Sequence, residues 1–114
     1  MPMDVGDPDD AVERAVAALL ERIVPALSPE AVYLFGSRAR GDAGRDSDFD
    51  LLVIVSDDTP RDKIRLTSTY RLARGSGVPA DVIACRRQWF ERNREQVGTL
   101  GYKAVHEGRL VYGH

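Results

Sequence analysis

The sequence predicts an α/β fold in which helices pack against a small mixed β-sheet. Segments whose apolar residues recur at helical spacing alternate along the chain with short runs of β-branched and aliphatic residues. Glycine, proline and aspartate separate these segments, as they do at turns and at element ends. Such alternation is typical of an α/β domain. At 114 residues, the chain fits a single domain over residues 1–114.

The first half of the chain predicts a long helix followed by two strands. Residues 1–7 are expected to form a loose arm, and Pro8 suits the first position of a helix. Pro25 is expected to kink the last turn of that helix or to end it earlier. The helix carries one apolar stripe, formed by Val12, Val16, Leu19, Leu20, Ile23 and Leu27. The next predicted elements are a strand at Ala31–Phe35, a short helix at Ser37–Arg40, a polar connection over residues 41–46 and a strand at Asp48–Val55.

The second half predicts three helices and two strands. A helix over Arg61–Arg74 has four apolar residues, Ile64, Leu66, Tyr70 and Leu72. Gly75 and Gly77 are expected to stop it. A helix over Arg86–Gln96 would be anchored by Trp89, Phe90 and Val97. The remaining predicted elements are a strand at Pro79–Cys85, a short helix at Tyr102–Glu107 and a strand at Arg109–Tyr112.

Two aspartates stand at the entrance to the second strand. Because strand side chains alternate between faces, Asp48 and Asp50 project to the same side. Two carboxylates close together repel each other, and a divalent cation removes that conflict. Magnesium uses carboxylate oxygens together with substrate phosphates, so the pair suggests a magnesium–nucleotide site. The alternative is an ordinary strand start with solvated or capping aspartates.

A glycine and a serine follow the first strand. Gly36 lets backbone N–H groups approach an anion closely, and Ser37 adds a hydroxyl donor. Arg38 and Arg40 add cationic groups that can reach a phosphate. The turn is neither a Walker-type loop nor a dinucleotide-binding turn. An ordinary strand-to-helix turn with a solvated basic face is the alternative interpretation.

A third aspartate, Asp81, lies in the otherwise apolar third strand. An unpaired buried carboxylate is costly, so Asp81 would need a partner or a metal ion. Clustered carboxylates favour the metal role. The alternative is an aspartate at a strand edge that faces water.

Composition and charge exclude several classes of protein. Hydrophobic residues make up 43% and charged residues 30%, which is ordinary for a soluble globular protein. The net charge of −2 gives no basic field, so nonspecific nucleic-acid binding is not implied. The single cysteine, Cys85, excludes an internal disulfide, and its apolar neighbours predict burial. No apolar run or signal peptide suggests a membrane, so a cytoplasmic protein is expected.

The glycine–serine turn and the aspartate pair together resemble a known family. Gly36 and Ser37, a gap of ten residues, and Asp48-x-Asp50 resemble the Gly-Ser-x10-Asp-x-Asp signature of the minimal nucleotidyltransferases of the DNA polymerase beta-like superfamily. The flanking runs, LFGSRARG and DSDFDLLV, are similar as well. The resemblance is sharp over residues 31–56 and looser elsewhere. It implies the polymerase beta-like nucleotidyltransferase fold.

The resemblance also implies roles for the three carboxylates. Asp48 and Asp50 would hold two magnesium ions between them. Asp81 matches the family's third carboxylate, and it would complete the ion nearest the acceptor and take the acceptor's proton. These ions would stabilise the attacking and leaving oxygens of a transfer at the α-phosphate.

By the same resemblance, the turn binds the substrate phosphates. Gly36 and Ser37 would hold the β- and γ-phosphates of ATP, and Arg38 or Arg40 would neutralise them. The family supplies the choice of ATP, because these residues contact phosphates rather than the base.

The resemblance finally implies a protein partner. Larger members of the superfamily carry an added domain that holds the acceptor, and no residues are left over here to form one. Minimal nucleotidyltransferases are typically antitoxins that transfer AMP to a tyrosine of a HEPN ribonuclease toxin. That role is the working hypothesis. The alternatives are a small-molecule nucleotidyltransferase of the antibiotic-modifying kind and an antitoxin that masks its toxin by binding alone.

Overall fold

A mixed β-sheet with helices on both faces forms the centre of the molecule. The computed structural model describes residues 8–36 and 48–113, with side chains from residue 11 onward. Its elements, in chain order, are α1 (Pro8–Leu27), β1 (Ala31–Phe35), β2 (Phe49–Val55), α2 (Arg61–Ile64), α3 (Leu66–Ser76), β3 (Ala80–Arg86), α4 (Arg87–Asn93), α5 (Leu100–Glu107) and β4 (Arg109–Gly113). The predicted α/β class with a small mixed sheet is confirmed. The predictions for residues 1–7, for the short helix Ser37–Arg40 and for residues 41–46 lie outside the described residues.

The sheet has the strand order β3-β2-β1-β4. Strand β2 runs parallel to β3 and antiparallel to β1, and β4 pairs antiparallel with β1. A parallel pair needs a long crossover connection, which here contains α2 and α3. Of the two inner strands, β2 therefore lies between a parallel and an antiparallel neighbour, whereas β1 has antiparallel neighbours on both sides.

Strand β2 is buried on both faces, which explains its nearly continuous apolar sequence. On one face, Leu51, Val53 and Val55 pack in a cluster with the buried side chains of α1 and α3. On the other face, Leu52 and Ile54 pack in a second cluster with the buried residues of α4 and α5. Alternation along the strand therefore puts Asp50 on the α4 and α5 side.

The helix predicted over Arg61–Arg74 is interrupted. Arg65 has extended backbone angles, φ −68° and ψ 151°, and it separates α2 from α3. Gly75 does not stop α3, since the helix continues to Ser76 and the Arg22 side chain packs over Gly75. Gly77, with φ +79°, forms the left-handed cap. The prediction that Gly77 ends the helix is confirmed, and the one for Gly75 is wrong.

Several large apolar side chains of the helices and loops are exposed. Leu66 and Tyr70 of α3 are 69% and 59% exposed, and Val97 is 81% exposed. Trp89 and Cys85 are half-buried, while Phe90 is buried. Of the three residues predicted to anchor the helix over Arg86–Gln96, only Phe90 is therefore fully buried.

Helix ends differ from the predictions by a few residues. Helix α1 continues through Pro25 to Leu27, whose buried side chain holds the last turn against the sheet. Helix α4 ends at Asn93 rather than Gln96. Helix α5 begins at Leu100, two residues early, because Thr99 caps it by accepting from the Tyr102 N–H. Within the described residues, every helix is too short or too polar to cross a lipid bilayer.

Candidate active site

Gly36 ends β1 directly against the carboxylate of Asp50. Its φ of +80° lies in the left-handed region that side chains rarely adopt. A Cβ atom at this position would collide with Oδ2 of Asp50. Both the backbone angle and the close approach therefore require glycine here, and the predicted glycine turn has a structural cause.

Asp50 lies between residues of both neighbouring strands. It pairs with Phe35 of β1 in the antiparallel ladder and with Asp81 of β3 in the parallel ladder. The Phe49 N–H donates a hydrogen bond of 3.1 Å to the Pro79 carbonyl, which fixes the relative start of β2 and β3. The register thus brings Asp50 and Asp81 side by side, although 31 residues separate them in the sequence.

Asp48 stands one residue before β2 and is exposed, whereas Asp50 is half-buried. Between them, Phe49 packs into the cluster on the α1 and α3 side, so the two aspartates project toward the other face. The prediction that Asp48 and Asp50 project to the same side of the strand is consistent with this alternation.

The pKa of Asp50 is raised above its ordinary value of 3.8. Burial is the largest cause, followed by the negative charges of Asp81 and then Asp48. The cationic Lys103 acts in the opposite direction. The negative charges of Asp81 and Asp48 therefore act on the Asp50 carboxylate.

Lys103 is a site residue that the sequence analysis missed. It lies on α5 and lines the same cleft as Gly36, Asp50 and Asp81. It belongs to no recognisable motif, and only the packing of α5 beside β1 and β2 brings it to the aspartates. A lysine on the exposed side of a short helix carries no signal of this position in the sequence.

An open cleft of about 520 Å³ begins at these residues. This volume lies in the range of small-molecule sites, about 300–1,000 Å³. Its walls include the three residues Gly36, Asp50 and Asp81, together with Leu66 and Tyr70 of α3. The site is therefore large enough for a nucleotide.

The side chains are not arranged as a ready-made three-ligand metal group. In residues 8–36 and 48–113, no three His, Cys, Asp or Glu side chains are grouped so that they could hold a metal ion together. Asp81 is exposed, so the expectation of a buried carboxylate at this position was wrong. It stands near the start of the edge strand β3, where water reaches it. Ser37, Arg38 and Arg40 lie outside the described residues.

The chain belongs to the nucleotidyltransferase domain family, whose model matches residues 15–108. The match includes Gly36, Ser37 and all three aspartates. It confirms the resemblance that was drawn from the glycine–serine turn and the aspartate pair. No curated protein matches the chain.

Solved structures have the same fold. A putative nucleotidyltransferase from Sulfolobus solfataricus superposes with a TM-score of 0.57 at 17% identity, over 100% of this chain and 91% of that one. A toxin-antitoxin crystallised with AMP-PNP gives a TM-score of 0.55 at 23% identity, over 90% and 73%. A mutant of the toxin-antitoxin MntA-HpeT gives 0.53 at 25% identity, over 90% and 72%. The chain therefore has the nucleotidyltransferase fold.

Proposed function

We propose that this chain is a magnesium-dependent nucleotidyltransferase that transfers AMP from ATP to a hydroxyl group of a partner protein. The observation that carries the proposal is the register that sets Asp50 beside Asp81, with Gly36 against the Asp50 carboxylate. This arrangement combines a close backbone approach for phosphate with clustered carboxylate oxygens. Membership of the nucleotidyltransferase family supports it.

The donor set fits magnesium. Carboxylate oxygens are hard ligands, and magnesium is bound through one or two carboxylates plus substrate phosphates and water. A site without three converged protein ligands suits that mode of binding, because the substrate supplies the other oxygens. Burial, and after it the negative charges of Asp81 and Asp48, raise the pKa of Asp50, and a divalent cation would offset the repulsion between these charges. Asp48 and Asp50 would hold the metal ions, and Asp81 would complete the ion nearest the acceptor.

In the proposed reaction, the acceptor oxygen attacks the α-phosphorus of ATP. The new bond joins this oxygen to the α-phosphorus, and the bond to the β-phosphate bridging oxygen breaks, releasing pyrophosphate. Asp81, exposed at the sheet edge, accepts the hydroxyl proton. Bound divalent cations supply charge stabilisation for the attacking and leaving oxygens.

The remaining residues would hold the triphosphate. Gly36 lets the backbone approach the phosphates closely, and by the family resemblance Ser37 and Arg38 or Arg40 would bind them as well. Lys103 adds a cation to the lining of the cleft. ATP is the proposed donor on the family resemblance, and the AMP-PNP in one structural neighbour supports an adenine nucleotide.

The proposed acceptor is a tyrosine of a HEPN-type ribonuclease toxin, with this chain acting as the antitoxin. The resemblance to minimal nucleotidyltransferases and the toxin-antitoxin neighbours support this pairing.

Intact-mass spectrometry tests the proposal. The protein encoded by the neighbouring gene is incubated with this chain, ATP and magnesium, and its mass is expected to rise by one or more AMP units. The variant with both Asp48→Asn and Asp50→Asn is expected to give no increase. Asp58→Asn, an exposed aspartate beyond the other end of β2, is the matched control and should leave the transfer unchanged.

The other outcomes separate the alternatives. If the protein pair binds without a mass increase, and the double aspartate variant still neutralises the toxin, masking by binding alone replaces the enzymatic role. If neither binding nor transfer is seen, small-molecule acceptors such as aminoglycosides become the substrates to assay.

A further inference from the structure

Helix α3 presents an apolar stripe to solvent. Thr69 and Ala73 face inward and are buried, whereas Leu66 and Tyr70, at i and i+4, are largely exposed. We call the exposed side the α3 outer face; it is formed by Leu66, Thr67, Tyr70, Arg71 and Arg74. A large aliphatic and a large aromatic side chain exposed together are candidates for a protein contact.

Local hydrogen bonds hold this face in place. The extended backbone at Arg65 starts α3 at Leu66, and the Thr69 hydroxyl donates to the Leu66 carbonyl at 3.2 Å. The Ser68 hydroxyl donates to the Asp62 carbonyl at 2.6 Å, which joins the first turn of α3 to α2. The exposure of Leu66 is therefore a consequence of a defined helix start.

The α3 outer face is continuous with the candidate active site. Leu66 and Tyr70 line the same cleft as Asp81. Because β3 is an edge strand, the cleft passes from Gly36 across Asp50 to Asp81 and continues round that edge to α3. If the phosphates bind at Gly36 and the acceptor oxygen approaches Asp81, the molecule that carries the acceptor lies next to α3.

The charge on this face is positive. The segment over residues 61–76 contains five cationic residues and one acidic residue, in a chain whose net charge is −2. The acidic residue, Asp62, already pairs with Arg65 at 3.5 Å. Arg71 and Arg74 form no ion pair with any described residue, and the Arg74 guanidinium lies 5.9 Å from the centre of the Tyr70 ring. An acidic surface on a partner would supply the missing counter-charges.

We propose that the α3 outer face docks the acceptor protein, through a surface that carries apolar and acidic side chains. The proposal rests on the proposed function for the partner's role as acceptor. A second copy of this chain fits less well, because a two-fold contact would set Arg71 and Arg74 against the same charges. RNA fits less well because the face has one aromatic ring and the chain has no net positive charge.

The first experiment measures binding without nucleotide. The dissociation constant for the neighbouring-gene protein is determined by calorimetry for the wild type, Leu66→Ser and Arg71→Glu. Each substitution is expected to weaken binding about tenfold or more, as truncation of contact residues at an interface centre does. Val97→Ser and Arg92→Glu are the matched controls, since both residues are exposed and lie outside the α3 outer face. The controls should bind as the wild type does.

The second experiment distinguishes this proposal from the proposed function. Arg71→Glu, whose side chain does not line the cleft, is expected to raise the KM for the acceptor protein and not the KM for ATP. If the wild type binds the protein but transfers no AMP, the proposed function fails, and the docking proposal is still decided by the dissociation constants. If AMP is transferred and both variants bind as tightly as their controls, the docking proposal is overturned and the function stands.

Two further results would overturn the docking proposal. One is binding of a 20-nucleotide single-stranded RNA that Arg71→Glu abolishes, with unchanged affinity for the acceptor protein. The other is a dimer of the wild type, seen by light scattering, that Leu66→Ser dissociates without changing that affinity.

Discussion

The two ends of the central strand β2 are built in opposite ways. At its start, Asp50 is half-buried beside Asp81, and both burial and neighbouring negative charge raise its pKa. At its far end, Val55 is fully buried, and the polar groups that follow are joined by hydrogen bonds. One end therefore keeps like charges together, while the other joins most of its polar groups by hydrogen bonds.

The far end has several such contacts. The Arg86 guanidinium donates to the Thr59 carbonyl at 2.8 Å, and the Gln88 N–H donates to the Asp57 carboxylate at 2.9 Å. The hydroxyl oxygens of Ser56 and Thr59 are 3.2 Å apart. Among the described side chains, only Nε of Arg86 is buried without a hydrogen-bond partner. That atom lies at the far end, where Arg86 pairs with Val55, so what distinguishes the Asp50 end is like-charge repulsion that a ligand can offset.

The largest effect is expected from the apolar part of the strand. Ile54 is 2% exposed and lies on the same face of β2 as Asp50. Ile54→Ala should lower the free energy of unfolding by about 2–5 kcal/mol, because it leaves a cavity in a packed core. Urea denaturation measures the change. Val97→Ala, at an exposed position, should stay within about 0.5 kcal/mol of the wild type.

The glycine at the start of the site offers a matched pair of substitutions. Gly36 and Gly77 have nearly the same φ, +80° and +79°, but a Cβ at Gly77 meets nothing within 4 Å. Gly77→Ala should therefore cost about 1–2 kcal/mol, from the backbone angle alone. Gly36→Ala should cost more and should reduce nucleotidyl transfer at least about tenfold, since it displaces the Asp50 carboxylate. Equal losses of stability in Gly36→Ala and Gly77→Ala would contradict the close approach of Gly36 to the Asp50 carboxylate.

Asp50→Asn is expected to act in the opposite direction to Ile54→Ala and to stabilise the metal-free protein at neutral pH. The raised pKa means that the folded state binds the Asp50 proton more tightly than the unfolded state. The stability from this proton is present below the unfolded pKa and is lost as pH rises through the folded pKa. Between the unfolded-state and the folded-state pKa of Asp50, the free energy of unfolding of the wild type should therefore fall as pH rises, whereas that of Asp50→Asn should not. Thermal melts between pH 3 and 8 in a chelating buffer provide the measurement, and a lower melting temperature for the variant at pH 7 would argue against it.

The smallest effect concerns Cys85, on β3 beyond the charged end. Burial raises the pKa of its thiol to about 12. Because the thiolate is the reactive form, only on the order of one molecule in ten thousand carries it at pH 8. Iodoacetamide should modify the folded protein far more slowly than the urea-unfolded protein. Comparable rates in the two states would show that the thiol is not protected.

The sequence allowed much of the fold to be predicted because its strands are short and strongly patterned. The bounds of β1 were predicted correctly, and those of β2 to within one residue, since apolar runs flank the glycine and the aspartates. Asp81 was identified as a candidate, and the register places it next to Asp50. The predicted roles of these residues remain proposals.

The errors arose where tertiary packing decides the outcome. The periodicity of residues 61–74 contains no sign of the interruption at Arg65, and their apolar character gives no sign that Leu66 and Tyr70 are exposed. Lys103 could not be identified, since its place in the site depends on how α5 packs on the sheet. The exposure of Asp81 follows from the edge position of β3, which sequence order does not reveal.

The crossover between the parallel strands also has an evolutionary consequence. Helix α3 of this crossover contributes the buried side chains of Thr69 and Ala73 to the core. On the outward side of the same helix, Arg71 and Arg74 are exposed to solvent. Substitutions on that outward side can accumulate without altering the strands that hold the carboxylates. A lineage can therefore exchange one binding partner for another through a few surface changes while it inherits the same chemistry.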